Sequence, residues 1–193
     1  MKNGNAQYNP LGNLSLCEVG ACYVWSPHTL LFLKNIRNKT NKFYCIKGRE
    51  GTGKTTLLQS LFCQLDDCIY ISFKKADVFN PFNIKEQILI VDRIYNLSLL
   101  QRLKLWACKK TIVYSAHYDI YSLEQIRLGL KKTIKLGPKK PEELQEIIGN
   151  RLSLANLSFV DFEHVFSEEN IRKISSKHSG NPRGVINELY FKI

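Results

Sequence analysis

The sequence predicts an α/β fold in which a five-stranded, mostly parallel sheet is followed by a small C-terminal helical lid. Three observations carry that prediction. The stretch Ile46 to Gln59, IKGREGTGKTTLLQ, fits G-x-x-x-x-G-K-[ST] at Gly48, Gly53, Lys54 and Thr55 without a mismatch. Short apolar runs suited to buried strands alternate with helical periods as far as residue 136. From Gly137-Pro138 onward only helical periodicity and turn signals remain. Strands bracketed by helices imply a sheet covered on both faces.

The elements follow in chain order. Residues 1–25 carry turn formers (Asn9-Pro10, Leu11-Gly12-Asn13) without a sustained period and read as an extended lead-in. Ser26-Pro27 is an N-cap with proline at the first helical position, and Leu30, Leu31, Leu33 and Ile36 give the helix an apolar face up to Asn38. A first strand spans Lys42 to Ile46. After the glycine-rich loop, a helix from Thr55 to Leu65 places Leu57, Leu58, Leu61, Phe62 and Leu65 on one face. Further strands are expected at Asp67–Phe73, Gln87–Asp92, Lys110–Ser115 and Lys132–Leu136. Three lid helices run from Pro141 to about Ala155, from the SEEN stretch after Ser167 to Ser179-Gly180, and onward from Pro182. The expected division is residues 1–25, a nucleotide-binding core over 26–137, and the lid over 138–193.

The loop residues have a shared chemistry. Gly48, Gly51 and Gly53 let the backbone turn through conformations that a side chain forbids, so the amides of Gly48, Arg49, Glu50, Gly51, Thr52 and Gly53 can converge on one anion. Lys54 adds a mobile positive charge, the Thr55 hydroxyl can join a magnesium ion, and Thr56 continues the helix whose N-terminus attracts phosphate. Strand, loop and helix in this order are the context in which the motif binds nucleotide. In ILIVD, four apolar residues place Asp92 at the tip of a buried strand, where it can hold the magnesium through water. YSAH ends the next strand and offers Ser115 or His117 to the terminal phosphate or its water. In SGNPRG, Arg183 falls in the first turn of the last helix, aimed at the phosphates or paired on the lid surface.

Charge and cysteine content narrow the classes. Twenty-eight Lys and Arg against seventeen Asp and Glu give a formal net charge of +11 and a pI near 9.4, a field that attracts polyanions. The excess recurs in Lys34 to Lys42, Lys74-Lys75, Lys109-Lys110, Lys131-Lys132, Lys139-Lys140 and the last helices, which points to a folded face, not a tail. Cys17/Cys22 and Cys63/Cys68 share a C-x-x-x-x-C spacing that argues weakly for zinc, and disulfides do not suit a reducing compartment. No apolar run is long enough for a membrane span, and MKNGNAQYNPLGN is too polar for a secretory signal, so membrane insertion is not expected and the cytoplasm is the default compartment.

Phosphate loop, ILIVD, a polar strand end, an arginine before the last strand and a helical lid carrying GNPR make the chain resemble a P-loop NTPase of the AAA+ class. RLSLANLSFVDFEHVFSEENIRKISSKHSGNPRGVINEL is similar to the lid of the branch holding transposition-accessory, secretion-type and origin-initiator ATPases. The resemblance implies that Lys54, Thr55 and Asp92 bind ATP and Mg2+, that Ser115 is the first sensor and Arg183 the second, and that Arg127 is a finger reaching a neighbouring subunit's nucleotide. It also implies self-assembly or a partner protein, and non-specific, salt-sensitive DNA association in replication, transposition or mobile-element maintenance. The chain departs from the pattern where Arg93 follows Asp92 in place of an acidic residue, and where the connection from Lys74 to Glu86 is short. The first departure predicts slow hydrolysis, or a water-polarising group that comes from elsewhere; the second departs from the usual DNA-contact geometry. The chain ends at Ile193, so the separate DNA-reading domain of initiators is not expected. A nucleotide-gated adaptor or secretion regulator without nucleic-acid binding is the alternative; a transporter-type ATPase is disfavoured because no LSGGQ-like signature occurs.

Overall fold

In a computed structural model, which describes residues 14–40, 42–74, 79–117 and 131–190, the apolar runs become five strands. They are β1 (Phe43–Lys47), β2 (Cys68–Ser72), β3 (Ile88–Asp92), β4 (Thr111–Ala116) and β5 (Lys131–Lys135), each within one residue of its expected ends. They hydrogen-bond in the order β2-β3-β4-β1-β5 with every pairing parallel. Parallel pairing gathers the carboxyl ends of the strands along one rim, where Lys47, Asp92 and Ala116 finish their strands.

The chain divides into two compact units. A core unit comprises Trp25–Arg49 and Lys54–Leu136; a lid unit comprises Met1–Val24, Glu50–Gly53 and Gly137–Ile193. The core unit holds α2 (Pro27–Arg37), α3 (Lys54–Gln64) and α4 (Leu99–Ala107) around the sheet. The period of two along β1 explains how both faces are covered. Phe43 meets Trp106 of α4 edge-on at 5.5 Å, and Trp106 lies 5.2 Å from Tyr114. The next residue, Tyr44, turns the other way, meeting Phe32 of α2 at 5.6 Å and donating its hydroxyl to Asn35 O. Phe43, Tyr44, Trp106 and Tyr114 are all fully buried. The start of α2 is as expected: the Ser26 side chain accepts from Thr29 N at 3.3 Å, with Pro27 in the first turn. Cys45 and Cys108 are buried thiols. Burial pushes the Cys68 thiol up to about 11, with Asp66 and Asp67 adding to the effect.

The lid unit contains α1 (Leu16–Ala21), α5 (Pro141–Leu154), α6 (Glu163–Phe166), α7 (Glu168–Lys177) and α8 (Pro182–Tyr190). Leu144, Ile148, Phe166, Ile171, Val185 and Leu189 form its buried centre. Helix α1 corrects the reading of the lead-in as extended. A capping box closes it, Ser15 accepting from Glu18 N and Glu18 returning to Ser15 N at 2.7 Å. Helix α6 and the 3-10 turn Phe159–Phe162 before it are also additions to the three expected lid helices. Between α7 and α8, Ser179 and Gly180 both take positive φ. A Cβ on Gly180 would lie 2.7 Å from Lys139 O, so this position admits glycine for space as well as backbone angle. No helix among the described residues is long and apolar enough to cross a membrane.

The aromatic contacts place much of the core's packing on Trp106. Trp106→Ala is expected to destabilise the protein by about 3–5 kcal/mol, read as a lower urea midpoint at an unchanged m-value. A loss under about 1 kcal/mol would show that α4 is not an integral part of the core.

Candidate nucleotide-binding site

The phosphate loop leaves β1 at Lys47 and enters α3 at Lys54. Gly51 and Gly53 take positive φ (79° and 88°), whereas Gly48 is not among the positive-φ glycines. The left-handed conformations are therefore confined to the second half of the loop. Within the core unit, Lys54 is 9% exposed, and its ammonium donates to Gly48 O at 2.8 Å and Arg49 O at 2.7 Å. His117 Nδ1 stands 3.4 Å from the same nitrogen. For Nδ1 to accept there, the ring must carry its proton on Nε2.

Asp92 is the electrostatic centre of the core-unit site. It is 3% exposed at the carboxyl end of β3 and accepts four hydrogen bonds. Thr55 Oγ1 (3.0 Å) and Tyr70 Oη (3.3 Å) donate to Oδ2; Ser115 Oγ (2.9 Å) and Arg93 N (2.9 Å) donate to Oδ1. A buried carboxylate needs such donors, since each replaces a lost water. Burial pushes the Tyr70 phenol well above its ordinary range, and the neighbouring Asp92 charge pushes it further, so Tyr70 remains a donor at neutral pH.

The two strand-end groups separate here. Ser115, 5% exposed, is turned onto Asp92, whereas exposed His117 sits beside the Lys54 ammonium. Tyr70 was not singled out from the sequence, because nothing in CIYIS distinguishes a tyrosine facing a neighbouring strand's carboxylate from one packing on a helix. The parallel β2–β3 pairing supplies the missing information. Arg93 is exposed and left-handed (φ 56°, ψ 40°), a conformation costing a non-glycine residue about 1 kcal/mol or more. It turns the chain out of β3 so that Ile94 can be fully buried.

In the lid unit, Asn181 caps α8, its Oδ1 accepting from Arg183 N at 3.0 Å. Arg183 Nη1 pairs with Glu50 Oε1 at 3.0 Å, an ion pair between exposed side chains. A Cβ added to Gly51 would fall within 2.6 Å of the Asn181 amide, which would have to shift, and the positive φ is the stricter reason for glycine here. Thr52 is buried, and Thr56 O accepts from Ser60 Oγ in the first turn of α3. Arg127 lies outside the described residues.

Thr55 and Asp92 supply hard oxygen ligands beside a cationic loop, a donor set that fits magnesium and suits a metal-bound polyphosphate. Comparison with protein-family models and with curated proteins found no match to the sequence. Comparison with solved structures did. AMPPCP-bound DnaA from Aquifex aeolicus superposes with a TM-score of 0.50 at 18% identity, over 85% of this chain and 58% of that one. A point variant of RuvB from Thermotoga maritima gives 0.51 at 15% identity, over 86% of this chain and 67% of that one. The chain has a P-loop α/β fold. More narrowly, it shares the fold of these DnaA and RuvB structures. It spans 58% of the length of the DnaA structure, and at these identities the likeness is one of fold.

Since Asp92 satisfies the hydroxyls of Thr55, Tyr70 and Ser115, its removal should be felt before any chemistry occurs. Asp92→Ala is expected to lower stability by about 2–4 kcal/mol in nucleotide-free buffer, measured by denaturant unfolding. If its stability equals that of wild type, the hydroxyl cluster is not a structural unit.

Proposed function

We propose that the chain is an ATP- and magnesium-binding AAA+ protein of the cytoplasm that associates with DNA without strong sequence preference. It serves as a regulator or loader in replication, transposition or mobile-element maintenance. The observation that carries the nucleotide reading is the conjunction of buried Lys54, held on the loop's own carbonyls, with the Thr55–Asp92 contact at 3.0 Å. Gly48 to Thr56, Lys54 among them, bind the phosphates, and Thr55 with Asp92 holds the magnesium. The ion, when bound, neutralises and orients the phosphates. Ser115 fixes the orientation of Asp92, and His117 presents a polar group beside Lys54.

The resemblance gives Arg183 the part of a nucleotide sensor, and its pair with Glu50 ties it to the tip of the phosphate loop. It gives Arg127 the part of a finger acting on a neighbouring subunit, which makes ATP-dependent self-assembly part of the proposal. The DNA reading is supported by the formal charge of +11 and by where that charge lies in the fold. Arg93 favours slow turnover: the residue after Asp92 carries a cation where a water-polarising carboxylate would act. ATP is then chiefly a conformational ligand.

Lys54→Ala is expected to weaken ATP binding at least about a hundredfold in a fluorescence titration, with the unfolding midpoint nearly unchanged. Unaltered affinity would overturn the phosphate-loop assignment. Arg93→Glu is expected to raise steady-state ATP hydrolysis on the order of tenfold or more, within the range that positioned general bases supply. A flat response would show that the residue at 93 does not limit turnover.

A further inference from the structure

The two units differ sharply in charge. The core unit carries nineteen Lys and Arg against seven Asp and Glu, formally +12, while the lid unit carries nine against ten, formally −1. The basic excess therefore does not extend into the last helices, which corrects the reading that it recurs there.

Within the core unit the excess is concentrated further. Residues 25–49, which hold α2 and β1, contain Lys34, Arg37, Lys39, Lys42, Lys47 and Arg49 and no acidic residue. Strand β5, which adds three lysines and no acid, pairs with β1 on one side and forms the edge of the sheet on the other. Helix α2 packs against β5. Lys42 donates to Trp106 O at 2.8 Å, and Arg37 donates to Gln64 O at 2.8 Å, which commits both within the fold. Lys34, Lys39, Lys132 and Lys135 are exposed. Their placement is coherent, because Lys132 is in register with Tyr44, whose hydroxyl meets Asn35 O and Thr40 Oγ1 at the end of α2. Lys132 thus stands beside the turn that carries Lys34 and Lys39. Lys135, in register with Lys47, lies nearer the rim where β1 enters the phosphate loop and, by the strand's period of two, on the opposite face of β5 from Lys132.

Local explanations account for parts of this pattern and not the whole. Cations in the last turn of α2 complement the helix dipole, and lysines on an edge strand block pairing with other strands. Neither effect requires the exclusion of every acid from α2, β1 and β5. Exposed Asp66 and Asp67 stand at the start of β2, which forms the other edge of the sheet, so acids are tolerated there.

We infer that the β5 edge, with the end of α2, is the surface that holds the phosphate backbone of duplex nucleic acid, through Lys34, Lys39, Lys132 and Lys135. This rests on the DNA-associated reading proposed above and gives it a location. A strand rises about 3.3 Å per residue, so Lys132 and Lys135 stand about 10 Å apart along the edge and on either side of it, where long side chains can flank a linear polyanion laid along β5. Exposed Thr133 between them supplies a hydroxyl donor of the kind that contacts phosphate. Four point charges without a built base-reading element bind backbone and not sequence.

The test compares wild type, a K34Q/K39Q/K132Q/K135Q variant, and a K85Q/K104Q/K109Q/K173Q variant of equal net charge. Each is titrated against a fluorescent duplex of about 30 base pairs from about 50 to about 200 mM salt with ATP present. The edge variant is expected to bind at least about tenfold more weakly at low salt, and its log–log salt slope to be shallower by about 3–4. The charge-matched variant should stay near wild type, and all three should bind ATP equally. Equal losses in both variants would show that only net charge matters and would overturn the inference. Undiminished duplex binding by the edge variant would overturn it while leaving DNA association standing. Wild type that fails to bind duplex even at the lowest salt would remove the DNA reading itself. Wild type that binds phosphatidylserine vesicles but not duplex, with that binding lost in the edge variant, would reassign the edge to a membrane surface.

Discussion

The carboxylate of Asp92 is the constraint on which the rest of the core unit's site depends. Burying a charge at 3% exposure is costly unless donors replace its hydration, and here they come from three elements besides its own. Thr55 comes from α3, Tyr70 from β2 and Ser115 from β4. One side chain at the tip of β3 therefore fixes the strands on either side and the helix that begins at Lys54. The parallel sheet makes this possible, because it brings the carboxyl ends of β2, β3 and β4 to the same rim. Lys54 is fixed next to that rim by carbonyls of its own loop, so the cation and the anion of the site are held by independent means.

The elements legible in the sequence were those determined by local chemistry. The strands read correctly because buried parallel strands are nearly continuous apolar runs, and α2 because Ser26-Pro27 is a strong start signal. Helix α1 was also signalled, by Ser15-x-x-Glu18, but at six residues it lacks the periodicity that would have drawn attention to that capping box. What could not be read required knowing which residues meet across strands. Ser115 and His117 are two positions apart at the end of one strand and looked interchangeable. In space one is a donor to Asp92 and the other a neighbour of Lys54. Tyr70 carried no signal at all, since its role exists only once β2 is laid beside β3.

Charge distribution was likewise invisible until the chain was divided. Along the sequence, lysines recur in the lid as often as a scattered surface would require. The lid helices, however, answer their cations locally: Arg172 pairs with Glu168, and Lys139 with Glu143, each one helical turn apart, while Glu188 serves both Lys177 and His178. Burial raises the Glu143 carboxyl, but its bonds to Lys139 and Lys140 outweigh that and hold it below the ordinary range. Such pairs contribute little stability on an exposed surface, yet they cancel the field. In α2, β1 and β5 no acid is present to do so, and the field survives.

The same hydrogen bonds that stabilise Asp92 also limit what it can do. A carboxylate has about four lone-pair positions, and Asp92 receives two donors on each oxygen. An oxygen so occupied is a fixed negative charge, and a magnesium ion, its water or a proton would each have to displace a donor such as the Thr55 hydroxyl to reach it. The adjacent position therefore matters more than it would beside a free carboxylate, and that position is Arg93, a cation in a left-handed turn that faces solvent. A site with a saturated aspartate and a neighbouring arginine holds opposite charges side by side. Under the function proposed above, that combination suits a protein in which bound nucleotide sets conformation over long intervals better than one that turns it over rapidly.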